Sequence, residues 1–249
     1  MEYEANQTRF SNIITMLQSQ DHQLQGIGTL SEKILHRVVK FYFDANPLHH
    51  EMKVGSYVAD ILSDNQIIEI QTGNYNQLRK KLEAFLPIYP VMVVYPIPHQ
   101  KWLVWENTTT GEVSERRKSP KVGSIFDCFK ELYKIKWLLD HPNFHFCILL
   151  IDLLEVRHLD GWSRDQKKGS TRRNRIPLRW IGEYHLINSN DYKSLIPTTL
   201  EVPFTVATFT KATHLTKRRA QEAINVLKTL HCIEQVGKVG RAYCYQLTK

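Results

Sequence analysis

The chain has 249 residues, enough for one large domain or for a medium and a small one. Its 42% hydrophobic and 23% charged residues exclude a disordered, fibrous or disulfide-rich chain as the dominant state. The net charge of +8 turns attention to anionic partners. The longest apolar run, Phe144 to Val156, is broken by His145, Asp152 and Glu155. No stretch reaches the roughly 20 apolar residues that a membrane helix needs, so no membrane partner is expected. The start, Met1-Glu2-Tyr3-Glu4, lacks the basic and apolar regions of a signal peptide. None of Cys128, Cys147, Cys232 and Cys244 forms a Cys-x-x-Cys pair. Reduced thiols and a cytoplasmic location are the expectation.

In chain order, residues 1–27 read as a polar extension with a helix around Phe10 to Gln18. Ser31 is placed to cap a helix from Glu32 to Phe43, whose apolar side carries Ile34, Leu35, Val38, Val39 and Tyr42. Val54 to Leu62 predicts a strand, Ser63 to Gln66 a turn, and Ile67 to Gln71 a second strand. A helix follows from Tyr75 to Leu86, then short strands at Pro90 to Tyr95 and Lys101 to Trp105. Residues 106–121 read as loop, Ser124 to Leu139 as a helix, and Phe144 to Val156 as a long buried strand. Tyr184 to Ile187 suggests one more strand. Helices interleaved with strands predict an α/β sheet with helices on its faces.

The charge is unevenly placed. Residues 160–180 carry +5, residues 198–249 carry +5, and the rest sums to −2. Basic segments gain affinity for phosphate backbones by releasing condensed counterions. Lys167, Lys168, Arg172, Arg173 and Arg175 are therefore expected to bind nucleic acid from a loop with a flexible Gly-Ser-Thr centre. The alternative is a solvated loop that only aids solubility. Trp162 and Trp180 flank it, placed either to stack on bases or to pack in the core.

The turn between the two central strands allows a register argument. With Asp64-Asn65 as a two-residue tip, Ser63 faces Gln66, Leu62 faces Ile67, and Asp60 falls opposite Glu69. Cross-strand partners have Cβ atoms about 4.5–5.5 Å apart. Opposed carboxylates repel, and more so when buried. A divalent cation between them removes that cost. Gln71 lies two residues beyond Glu69 and projects from the same face. Otherwise the hairpin is exposed and both acids meet water. The apolar neighbours Val58, Ala59, Ile61 and Leu62 of Asp60, and Ile67, Ile68 and Ile70 of Glu69, speak for a sheet buried on both faces.

A helix with Glu32, then Asp60, then Glu69-Ile70-Gln71, then a helix with Gln77 and Lys80, resembles the PD-(D/E)xK nuclease superfamily. The resemblance covers roughly residues 28–105, and reaches 158 if the later helix and strand complete the core. It implies a restriction-endonuclease-like mixed sheet. It also implies Mg²⁺ or Mn²⁺ held by Asp60 and Glu69, with Glu32 assisting. The usual lysine two residues after the Glu is here Gln71. A neutral amide cannot stabilise developing charge as an ammonium does. Lys80 and Lys53 are the substitutes the sequence offers. Glu32 also has a plain reading, as an acid favoured at a helix start.

Residues 191–249 read differently. A short helix at Asp191 to Leu195 precedes a helix from Phe204 to Ala212 and a turn at His214-Leu215. Thr216 caps a helix from Lys217 to Leu230, and strands at Cys232 to Val236 and Ala242 to Leu247 follow. That order resembles a winged helix-turn-helix. Lys217, Arg218, Arg219, Gln221 and Asn225 then project outward, with Ala220, Ile224, Val226, Leu227 and Leu230 inward. Lys217, Arg218, Arg219, Gln221 and Arg241 are the candidates for contact with DNA. Winged helices also serve as protein-binding modules.

The expected organisation is a helical extension (1–27), a nuclease-like α/β core (28–158), a basic connector (159–190) and a winged helix (191–249). The expected function is that of a metal-dependent DNA endonuclease. The alternative is a non-cleaving DNA-binding regulator or assembly protein. RNA is a second candidate substrate, because basic segments read charge and not sugar. Cutting both strands needs two centres, hence a homodimer or a partner protein. No Walker loop, dinucleotide fingerprint or serine elbow occurs. Eleven histidines include His49-His50, His141, His145 and His158, but no pair has helical metal-ligand spacing beside a Glu.

Overall fold

The structure, a computed structural model, describes residues 2–23, 34–107, 109–159 and 169–248. It is mixed α/β. Helices α1 (Glu2–Gln23) and α2 (Ile34–Phe43) come first, followed by strands β1 (His50–Val54), β2 (Tyr57–Ser63) and β3 (Gln66–Ile70). Helix α3 (Tyr75–Phe85) leads to β4 (Val91–Asn107) and β5 (Arg117–Val122). A short helix α4 (Phe129–Leu132) precedes β6 (Phe144–Leu159) and β7 (Thr171–Leu186). These strands form a seven-stranded sheet in the order β1-β2-β3-β4-β6-β7, with β5 paired to β4. Strand β3 runs antiparallel to β2 and parallel to β4, and α3 makes the crossover.

The chain forms two compact units. One comprises Met1–His50, Pro98–Ser124 and Leu149–Gly182; the other comprises Glu51–Ile97, Ile125–Ile148 and Glu183–Lys249. They cut across the expected division into core, connector and C-terminal domain. In the first unit, Leu35, Val38, Val39 and Tyr42 recur at helical spacing and are buried. Phe10 of α1 meets the Tyr42 ring edge-on, with centroids 5.5 Å apart. In the second, Tyr75, Leu78, Leu82 and Phe85 form the buried stripe of α3, and Ile67 to Ile70 are buried throughout.

Besides β5, which takes up the end of the expected loop 106–121, three sequence expectations change. The segment 171–186 is a strand, not a loop, so the basic residues Arg172, Arg173 and Arg175 lie on β7. The long apolar strand β6 offers an edge that β7 pairs with, and this non-local pairing overrides a loop-like composition. Second, β4 is one strand through Pro96 and Pro98. Both prolines lie between the β3 pairing, which ends at Val94, and the β5 pairing, which begins at Gln100, so their missing N–H groups fall outside both of these ladders. Third, residues 125–138 form 3₁₀ turns around α4 and not one helix. Ile135, with φ −128°, leaves the α path there.

The C-terminal residues follow the expected order. Helix α5 (Ser189–Ser194), strand β8 (Phe204–Thr205), helices α6 (Val206–Thr213) and α7 (Lys217–Thr229), and strands β9 (Ile233–Val239) and β10 (Ala242–Leu247) succeed one another. They carry a three-stranded sheet, β8-β10-β9. Thr216 caps α7 by accepting from the Arg219 N–H. Ala220, Ala223, Ile224, Val226 and Leu227 are its buried side. Among the described residues, no helix is long and apolar enough to cross a membrane. All four cysteines are free buried thiols.

Candidate active site and nucleic-acid surfaces

Asp64 and Asn65 have φ of 48° and 61°, the left-handed values that a type I′ hairpin tip requires. The pairs are Ser63 with Gln66, Leu62 with Ile67, and Ile61 with Ile68, in the expected register. The ladder then stops one pair short of Asp60 and Glu69. There the Asp60 carboxylate Oδ2 accepts from the Ile70 N–H at 2.7 Å. Asp60 is half-buried at this point, and Glu69 is only 2% exposed.

Lys81 of α3 donates to Glu69 Oε2 at 2.6 Å. Glu69 Oε1 is buried with no hydrogen-bond partner. Burial, and then the charge of Asp60, push the Glu69 carboxyl up to about 7, against the opposing pull of Lys81. An all-oxygen donor set with one buried, unpaired carboxylate oxygen fits a hard divalent cation. The Gln71 side chain donates to the Gly73 carbonyl and its N–H to Val94 O, so this residue fastens its own loop. Glu32 lies outside the described residues.

Lys81 is the residue that sequence reasoning passed over in favour of Lys80 and Lys53, both of which are exposed. The signal was available. Lys81 stands three residues after Leu78 and four before Phe85, beside the buried stripe, while Lys80 turns away from it.

Two further acids are buried in β6, in the other compact unit. Asp152 accepts from the Gln100 N–H at 2.9 Å and from Arg179 at 2.9 and 3.1 Å. Glu155 is paired with Lys101 at 3.2 Å and Arg157 at 2.7 Å. Burial raises the Glu155 carboxyl, but Lys101 and Arg157 outweigh it and hold the group below its ordinary value. These acids are satisfied within the sheet.

The basic candidates divide. Lys167 and Lys168 lie outside the described residues. On β7, Arg172 and Arg173 are exposed and Arg175 is half-buried. Arg173 is held by Glu106 at 2.5 Å. Trp180 is buried with its ring 5.2 Å from that of Tyr3, which fits the core reading and not base stacking. At the start of α7, Lys217, Arg218 and Gln221 are exposed, and Arg219 is partly so. Arg218 and Arg219 both pair with Glu222. Arg241 is exposed beside Gly240, at the tip between β9 and β10. Asn225 is turned to the protein instead, accepting from Lys136 at 2.5 Å.

Among known proteins, the family described as a domain of unknown function, DUF8091, matches residues 33–187, more than half of the chain. The chain belongs to that family. An uncharacterized protein of Treponema pallidum (strain Nichols) is 34% identical over 144 residues, 57% of this chain and 57% of the relative. The match thus covers little more than half of that relative's length. No solved structure matches the chain. The family segment includes both acids, Lys81 and β7, and ends before α5.

Proposed function

We propose that this DUF8091 protein is a metal-dependent endonuclease that hydrolyses phosphodiester bonds in DNA. The observation that carries the reading is the placement of Asp60 and Glu69 on neighbouring strands, one of them buried and raised toward neutrality partly by the other. A sheet built for packing alone gains nothing from opposing two carboxylates there. The order of elements around them, with α3 crossing between parallel β3 and β4, agrees with the nuclease resemblance.

Asp60 and Glu69 would hold the cation. When bound, Mg²⁺ or Mn²⁺ would supply an acidified water and neutralise phosphodiester oxygens. Glu69 must be ionised to serve, and the Lys81 ammonium favours that form. Lys81 also brings to the centre the positive charge that Gln71 lacks. The Ile70 N–H fixes the Asp60 carboxylate against rotation. Residues 189–247 would act as a winged helix-turn-helix, with Arg218, Arg219 and Gln221 toward bases and Lys217 and Arg241 on phosphates. Arg172, Arg173 and Arg175 add a basic strand. Double-strand cutting would call on a second copy or a partner protein.

One observation favours the second reading, a DNA-binding protein that does not cut: Lys81 already meets the charge of Glu69. Incubation of supercoiled plasmid with the full chain and Mg²⁺ or Mn²⁺ separates the two. Nicking that disappears in both Asp60→Asn and Glu69→Gln supports the nuclease. Duplex binding without cutting in either metal supports the regulator. Cutting that persists in both variants removes the site from consideration, and preference for RNA transcripts would change the substrate.

A further inference from the structure

We propose that Cys147, Glu183 and His185, with His145 behind the His185 ring, form a second metal site, for Zn²⁺ or a similar borderline-soft cation, independent of the carboxylate pair. His145 and Cys147 are two residues apart on β6, so both side chains leave the same face of the sheet. Glu183 and His185 stand likewise on β7, the neighbouring strand. Two strands thus each present two ligand-type side chains to one spot.

The atoms converge. His185 Nδ1 lies 2.9 Å from His145 Nε2, and His185 Nε2 lies 2.5 Å from a Glu183 oxygen. The Cys147 sulfur, a Glu183 oxygen and a His185 ring nitrogen all fall within 4.8 Å of one another. A tetrahedral zinc site has ligand-to-ligand edges of roughly 3.3–3.6 Å. With all three separations inside 4.8 Å, small side-chain shifts bring these ligands to that range. The donor set of sulfur, imidazole and carboxylate suits zinc and not magnesium, which keeps to oxygen ligands. Cys147 is fully buried while the His185 side chain is 43% exposed, so a cation has a path in from the His185 side. Three protein ligands leave a fourth position for water, and His145 orients the His185 ring through its other nitrogen. The site clamps β6 to β7 immediately before Asn188, the residue that caps α5. The family match ends at residue 187, so the clamp sits at the end of the family segment.

The test uses the full chain, stripped with chelator, given equimolar Zn²⁺ and desalted. One zinc per chain is expected by mass spectrometry of the metal. Cobalt substitution should give the visible bands of tetrahedral Co²⁺ and a near-ultraviolet thiolate charge-transfer band. Cys147→Ser should remove that band, and His185→Ala should weaken zinc binding by more than about tenfold. Asp60→Asn should leave zinc content unchanged, which keeps this site distinct from the proposed catalytic one. Circular dichroism shows that each variant is folded, and the wild-type cobalt spectrum needs no variant at all. A folded wild-type chain that retains no zinc and gives no tetrahedral cobalt spectrum overturns the proposal. Full retention by both cluster variants, or loss of zinc in Asp60→Asn, overturns it as well.

Discussion

Glu69 is the residue on which the proposed chemistry turns. Its carboxyl titrates near 7 because burial and Asp60 disfavour the charge more than Lys81 favours it. A carboxyl raised on folding makes the metal-free protein most stable below the unfolded value, and stability falls as pH rises through about 7. Glu69→Gln should flatten that slope, as urea midpoints at about pH 5.5 and about pH 8.5 will show. Lys81→Met leaves a buried carboxylate without its cation. It should cost roughly 1–3 kcal/mol on the alkaline side and less on the acid side, where protonated Glu69 needs no partner. Asp60 and Glu69 were legible in the sequence because a two-residue turn fixes which strand residues face each other. Lys81 was legible only through the helical period. Gln71 has the right position for the face of the proposed site, but its bond to Gly73 depends on loop conformation, which no spacing rule gives.

At the level of elements, the β2–β3 hairpin sets the register that brings the acids together. Asn65→Ala removes the short polar side chain that lets asparagine tolerate a left-handed backbone and should cost about 1 kcal/mol, whereas Asn65→Gly should be near neutral. Denaturant unfolding of the two variants checks this. The tip between β9 and β10 carries Arg241 toward solvent. If it lies on a phosphate, Arg241→Ala should weaken binding equally for all duplexes and reduce the salt slope by about 1. Arg218→Ala should instead change sequence preference, by roughly 1–3 kcal/mol at one base pair. The C-terminal helices and hairpin were legible because caps and periodicity are local. Strand β7 was not, since its arginine-rich start becomes a strand only by pairing with β6. The four ligand-type residues of β6 and β7 were hidden for the same reason: they are adjacent only once the sheet has formed.

For the whole molecule, the order of helices and strands correctly pointed to an α/β protein, and the hairpin register placed both acids on neighbouring strands of its sheet. The division into consecutive domains did not anticipate the compact units, each of which draws on three separate stretches of chain. Sequence periodicity reports neighbours along a strand or helix, whereas units are decided by contacts between distant segments. The central claim is that Asp60, Glu69 and Lys81 together make a cutting centre. Its most direct test is the rate of plasmid cleavage as a function of pH at limiting Mn²⁺, for the wild type and Lys81→Met. Protons and metal compete for Glu69, so the wild-type rate should rise through about 7, and Lys81→Met should move that rise to higher pH. A pH profile identical in both proteins, or no cleavage at any pH, would contradict the account.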